Sequence, residues 1–395
     1  MTRFSRAAAA AVLACSLALP GALATAGPSA AVPATAVASI APSTAAPALP
    51  APTGPYAVGS TVIPLVDRSR TDPWVPTAAG RELMVTLHYP AARPGDGRPA
   101  PYATGEEARL LTEALGIGSV VPGDALARMR THGRTDARPA PGRYPLVLLS
   151  PGFGASRWTL THLAEDLASR GYVVASVDHA YESYGISFPG GRTLDCVACA
   201  ALDEGGVHAS VVTATRAADV RFVLDRLTGP RPAWRHARVI DARRVGMAGH
   251  SIGGASAATA MAADLRIDAG VNMDGAFWED LPVEGLRGRP FLMLGTHDAM
   301  HLPGGEDSSW DRTWPTLDGW KRWVTVAGAE HFTFSDYPVI QSRFGLPGPM
   351  LPADRAVAVT RTYVAAFFDR HLRGVARPVL DGPTADNPEV HFQHR

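Results

Sequence analysis

Gly249-His250-Ser251-Ile252-Gly253 sets a serine between two glycines in the pattern G-x-S-x-G. A serine hydroxyl is a weak nucleophile and needs a positioned base to take its proton. A sharp turn from strand to helix supplies the geometry, because it lifts the hydroxyl above the edge of a sheet. The central residue of such a turn is strained, and a glycine on either side leaves room for it. The context fits, since an apolar run (245–248) precedes the motif and a small-residue run (254–263) follows. An ordinary Gly-rich turn between strand and helix is the bland alternative, and these flanks favour the nucleophile, Ser251.

The partners should follow in the order Ser, acid, His. His331, in Gly328-Ala329-Glu330-His331-Phe332, comes after the apolar run 324–326, where an imidazole can return to the turn. His297 and His301 fall in an earlier loop, and His371 falls in the last helix, where a surface position is expected. His250 adjoins the nucleophile and is expected to point away from it as a packed, hydrogen-bonded support. Two acids compete. Asp274 ends the run 271–273, and Asp298 follows the run 291–294. Either can hold the imidazole tautomer and stabilise the imidazolium. Position alone leans towards Asp298, which follows the strand most hydrolases of this kind use.

The elements that must carry these residues alternate. Runs 58–66 and 83–89 read as an opening antiparallel pair. Helices are expected at 106–115 and 125–131, within a stretch reaching Gly142 that reads as a cover over a site. Leu146-Val147-Leu148-Leu149 is a continuous apolar run, as in a parallel strand buried on both faces. Leu160, Leu163, Ala164, Leu167 and Ala168 follow helical spacing. The alternation continues through a strand at 172–177, a helix marked by Val220, Val223, Leu224 and Leu227, strands at 245–248, 271–273, 291–294 and 324–326, and a helix at 353–372. The expected architecture is the α/β-hydrolase fold, a mainly parallel central sheet with helices on both faces.

The chain has 395 residues, 46% of them hydrophobic, enough for a large core. Lys+Arg and Asp+Glu balance at 37 each, so no charge excess points to nucleic acid or an anionic membrane. Arg3 and Arg6 precede an apolar run (7–19), then Pro20-Gly21 and Ala22-Leu23-Ala24, the pattern of an export signal cut after Ala24 or Ala26. The run is short for a bilayer span. A secreted protein is expected, with a lipoprotein anchored through Cys15 as the alternative. Residues 25–55 are almost all Ala, Pro, Ser, Thr, Val and Gly, a composition that reads as a flexible linker. The catalytic domain is expected to occupy 56–395. After processing only Cys196 and Cys199 remain, and a local disulfide is the first expectation in an exported chain. A redox pair or half a metal site are the alternatives, but a zinc site needs four ligands and no second Cys pair exists. No metal or cofactor is called for.

The hexapeptide ending in Gly254 resembles the elbow of the platelet-activating factor acetylhydrolases, the plasma and type II group. Ser150-Pro151-Gly152-Phe153-Gly154-Ala155-Ser156-Arg157 resembles their oxyanion loop. Val174-Ala175-Ser176-Val177-Asp178-His179 is similar to their strand ending in an acid–His pair, and His331-Phe332-Thr333-Phe334-Ser335-Asp336 to their catalytic His segment. The resemblance spans 56–372 in family order. It implies that the acid follows the strand immediately after the elbow helix, which selects Asp274 in Val271-Asn272-Met273-Asp274 and leaves Asp298 as the alternative. It also implies an oxyanion hole formed by the N–H groups of Phe153 and Ile252. Phe153 stands where the animal enzymes carry a smaller apolar residue.

The function expected is that of a secreted serine carboxylic ester hydrolase, similar to a 1-alkyl-2-acetylglycerophosphocholine esterase. Its substrates would be short-acyl esters, among them acetylated or oxidised phospholipids. Phe277, Trp278, Trp310 and Trp314 either line an apolar mouth or pack ordinarily. A secreted lipase or cutinase-type polyester hydrolase is one rival reading. A non-catalytic hydrolase-like binding module is another, and the intact Ser251, Asp274 and His331 argue against it.

Overall fold

Tyr144–Ser150 is a strand in which every residue is buried, and it sits at the middle of an eleven-stranded sheet. On one side it pairs in parallel with Val173–His179, and on the other with Ile240–His250. Ala269–Met273, Phe291–Thr296 and Lys321–Val326 extend the parallel block beyond Ile240–His250. The chain thus leaves the central strand in one direction and later returns to its other side. A crevice opens at the carboxyl ends of the strands where such a reversal occurs. The structure is a computed structural model and describes residues 46–394.

Two antiparallel strands, Ala57–Asp67 and Arg81–Ala91, extend one flank of the sheet, with the short strands Arg134–Thr135 and Arg98–Pro99 beyond them. Val390–His394 adds an antiparallel strand on the other, beside Lys321–Val326. That last strand, Val390-His391-Phe392-Gln393-His394, alternates over too few residues to stand out in the sequence. Helices cover both faces. Val220, Val223 and Leu224 of Ala209–Thr228 join Ala257 and Met261 of Ile252–Ala263 on one face. Leu163 and Leu167 of Thr161–Ser169 meet Val364, Phe367 and Phe368 of Ala353–Arg373 on the other. Apolar residues at helical spacing bury one stripe of each helix against the sheet.

The stretch before Gly142 carries helices Gly105–Ala114 and Gly123–Ala127. Thr104 starts the first with a reciprocal capping box to Glu107. The second is shorter and earlier than the spacing suggested. Leu111, Leu126 and Met129 pack with Leu49, Trp158 and Ile340 in a separate apolar cluster.

Leu49 corrects the expected domain boundary. The linker was expected to reach residue 55, but residues 46–55 belong to the compact unit Ala46–Arg395. Arg361 donates to the carbonyls of Ala51 and Pro50 at 2.7 and 2.9 Å, and Arg130 N–H donates to Pro47 O at 2.7 Å. Thr53 and Gly54 bond to Asp166 and Ser169. A proline-rich strip offers carbonyls without donors, and distant arginines take them up, which composition cannot reveal. The export signal, Cys15 and the rest of the expected linker lie outside the described residues. Among the described residues no helix is long and apolar enough to cross a membrane.

Candidate active site

Ser251 follows the strand Ile240–His250 directly and precedes the helix Ile252–Ala263. Its backbone is held at φ 56° and ψ −130°, a conformation unfavourable for any residue but glycine. Ser251 N–H donates to Met273 O at 2.8 Å, and Ser251 O accepts from Gly254 N–H at 2.8 Å. The turn is possible because Gly253 passes so close to the neighbouring strand that a Cβ would lie 2.1 Å from Ser150 O. The motif glycines are therefore needed for close approach on this face.

Ser251 Oγ lies 2.9 Å from Nε2 of His331, and Nδ1 of His331 lies 2.7 Å from Oδ2 of Asp274. Asp274 is buried and His331 is nearly half exposed, so the chain of three runs from the interior to an open surface. Asp274 also has a left-handed backbone, φ 62°, and its N–H donates to Leu294 O. Burial pushes its carboxyl up, but the hydrogen bond to His331, the nearby His301 and the Thr296 N–H outweigh that and hold it below the usual carboxylate value. The His331 loop is anchored by Asp336, whose Oδ1 accepts from His162 N–H and Oδ2 from the Tyr102 hydroxyl.

Asp298, the rival acid, makes no hydrogen bond to His331. Its Oδ1 accepts the N–H groups of Met300 and His301, and its carboxyl is half exposed. The His301 side chain holds that carboxyl down at about 2. His297 bonds to Thr325. His250 points away from Ser251, as its support role requires, with burial holding its ring down at about 3. His371 is not a plain surface residue, because Trp320 and Phe367 enclose its ring at 4.6 and 4.8 Å. Trp310 is fully buried and donates to Gly275 O, so it does not line a mouth. Trp314 covers Lys321 and stacks on His394.

Phe153 and Ile252 flank the nucleophile. Gly152 runs so close that a Cβ there would lie 3.5 Å from Ser251 Cβ. Among the described residues neither the Phe153 nor the Ile252 N–H has an acceptor in the chain. Gly154, at φ +76°, continues the loop and pairs with the segment after Val173–His179: its N–H donates to Glu182 O and its carbonyl accepts from Tyr184 N–H. Phe153 packs with Trp74, Leu202, Ala209, Val212 and Ile252 in a small apolar cluster. Cys196 and Cys199 are joined by a disulfide, and a Cβ on Gly154 would touch Cys199 Sγ at 4.0 Å.

Behind this loop lies a buried ionic network that the sequence did not announce. Arg216 donates to Pro151 O, to Ser150 Oγ at 3.1 Å and to Glu182 at 2.7 Å. Arg81 binds Asp72, Glu182 and Asp219 at 2.8–3.0 Å. The acid–His pair at the end of Val173–His179 is divided: Asp178 pairs with Arg157, whereas His179 bonds to Ser150 Oγ and Asp219. Fully buried charges persist only when paired and hydrogen-bonded. The Arg and Asp types were visible, but partners up to 138 residues apart carry no local pattern.

A serine on a strained strand-to-helix turn at the carboxyl edge of a doubly covered parallel sheet defines an α/β-hydrolase. The model of the family "Platelet-activating factor acetylhydrolase, isoform II" matches residues 42–189. A probable 1-alkyl-2-acetylglycerophosphocholine esterase of Arthroderma benhamiae is 30% identical over 379 residues, 86% of this chain and 92% of that protein. This chain belongs to the platelet-activating factor acetylhydrolase family, a family of esterases. The platelet-activating factor acetylhydrolase of Gallus gallus is 22% identical over 60% of this chain and 65% of its own. A solved ferulic acid esterase from Streptomyces cinnamoneus is 48% identical, with a TM-score of 0.79, covering 89% of this chain and all of that one.

Proposed function

We propose that this chain hydrolyses carboxylic esters through an acyl-enzyme on Ser251. The observation that carries this is the unbroken path Ser251 Oγ–His331 Nε2 and His331 Nδ1–Asp274 Oδ2 at 2.9 and 2.7 Å. His331 takes the hydroxyl proton as Oγ attacks the ester carbonyl, and the imidazolium is held by Asp274. The free N–H groups of Phe153 and Ile252 receive the negative charge on the carbonyl oxygen. The carbon–oxygen bond to the alcohol then breaks, and the alcohol leaves with the proton from His331. Water deprotonated by His331 attacks the acyl-enzyme, and the acid product leaves Ser251 restored.

The substrate is a short-acyl ester, an acetylated phospholipid being the form in which the relatives' names support it. A second reading, a feruloyl or related aromatic acyl ester, is favoured by the 48% identical ferulic acid esterase and by the Phe153/Trp74 cluster beside the oxyanion donors. Hydrolysis of p-nitrophenyl esters of increasing acyl length, of methyl ferulate and of an acetylated phospholipid separates the readings. A preference for long acyl chains would favour the lipase or cutinase alternative.

Ser251→Ala should abolish hydrolysis and labelling by a fluorophosphonate. Wild-type activity in that variant, or failure of the wild type to label, would remove the serine mechanism. Residues 1–24 act as an export signal in this reading, and N-terminal sequencing of secreted protein should begin near Thr25 or Gly27. An intact Met1 on exported protein would contradict it.

A further inference from the structure

Asp274 and Asp298 follow neighbouring strands, and His301 lies between them. Its Nδ1 is 3.3 Å from Asp274 Oδ1, 3.7 Å from Asp298 Oδ1 and 2.9 Å from Thr296 Oγ1. Ionised carboxylates only accept hydrogen bonds, so the nitrogen facing both of them carries the proton. The ring is buried, lies 4.7 Å from that of Trp310, and its carbonyl accepts from Trp323 Nε1 at 2.9 Å. Asp274 Oδ1 also accepts the Thr296 N–H at 2.7 Å. One carboxylate oxygen is thus tied down by Thr296 and His301, and the other is left for His331.

We propose that His301 is a positioning residue for Asp274, and that Asp298 supports it, so that both acids serve one chain of interactions. The proposal rests on the reading of Ser251, His331 and Asp274 as the reacting set. Asp298 holds His301 by accepting its backbone N–H and by its charge. The charged groups facing His301 are Asp274 from the loop after Ala269–Met273, and Asp298 and Asp307 from its own loop. Burial lowers the affinity of this ring for a second proton, but those three carboxylates outweigh burial and raise it above the ordinary histidine value. Whether neutral or cationic, the ring draws negative charge from Asp274. Its removal leaves Asp274 looser, yet with more charge to hold a protonated His331.

Two effects should therefore separate from loss of packing. In His301→Phe, kcat for p-nitrophenyl acetate should fall between about 10- and 100-fold, the scale of a small misplacement, with KM little changed. The acid limb of the pH profile of kcat/KM should move to higher pH. His301→Gln, which keeps a neutral donor, should recover part of kcat. Asp298→Asn should give a smaller loss of kcat, and serves as the second probe where His301→Phe does not fold. Wild-type kcat and an unmoved acid limb in His301→Phe, or wild-type kcat in Asp298→Asn, overturn the proposal. So does an equal loss in His301→Phe and His301→Gln with the limb unmoved. Asp274→Asn distinguishes the two failures: if it is inactive while the His301 variants are normal, only this proposal fails. Full activity in Asp274→Asn removes the acid assignment beneath it.

Discussion

His250 Nε2 donates a hydrogen bond to the backbone carbonyl of His331 at 2.6 Å. The residue before Ser251 thus holds the loop that carries His331, and the spacing between Ser251 Oγ and the His331 imidazole is set from both sides. The ring must carry its proton on Nε2 to donate, and its Nδ1 faces Gly152 in the loop after Tyr144–Ser150. His250→Phe keeps the ring and loses the donor. We expect kcat to fall by about 10- to 100-fold through misplacement of His331. Fluorophosphonate labelling should slow in parallel while thermal unfolding changes little. Labelling at the wild-type rate would show that the bond has no role in placing the base.

Asp274→Asn should cost far more than Asp298→Asn. Loss of the acid leaves the imidazole in the wrong tautomer, which costs about 10⁴-fold in kcat where it has been measured in serine hydrolases. Asp298 acts at one remove, through His301, and its loss should stay within about 100-fold. Steady-state kinetics of both variants decide this, and the larger loss in Asp298→Asn would reverse the assignment.

The Cys196–Cys199 bridge should be intact in the native protein. Mass spectrometry with alkylation before and after reduction reads it directly. Because Cys199 lies against Gly154, reduction should also lower kcat before it lowers the unfolding temperature. Alkylation of both thiols without reductant would reject the bridge.

Glu165 should make stability depend on pH. Its carboxyl is buried, Oε1 accepts from His132 and Gly133, and Oε2 has no partner among the described residues. Burial outweighs those two bonds and raises the group to about 7. The folded state therefore holds its proton more tightly than the unfolded chain. This group favours folding below about pH 4.5, and that contribution is lost as pH rises to about 7. Glu165→Gln stays neutral and keeps an acceptor at Oε1. Its stability relative to wild type should rise between about pH 5 and 8 by an amount on the order of 2–3 kcal/mol. Denaturant midpoints at the two pH values test it, and a pH-independent difference would show that the carboxylate is not penalised.

The parallel strands, the strained serine turn and the histidine after the last parallel strand were all legible in the sequence. Each is a local pattern: a continuous apolar run, small residues packed around one serine, a loop following a strand. The partner of His331 was legible only as a choice between Asp274 and Asp298, because both follow strands in the same way. In the structure Asp274, just after the strand beside Ile240–His250, bonds to His331, whereas Asp298 follows a strand one further out and makes no such bond. The ionic network behind the Gly152–Gly154 loop, the docking of residues 46–55 and the place of His301 were decided only there. These are contacts between polar groups far apart in the chain. A buried charge is tolerated for the partners it meets, and those partners leave no periodic trace in the sequence.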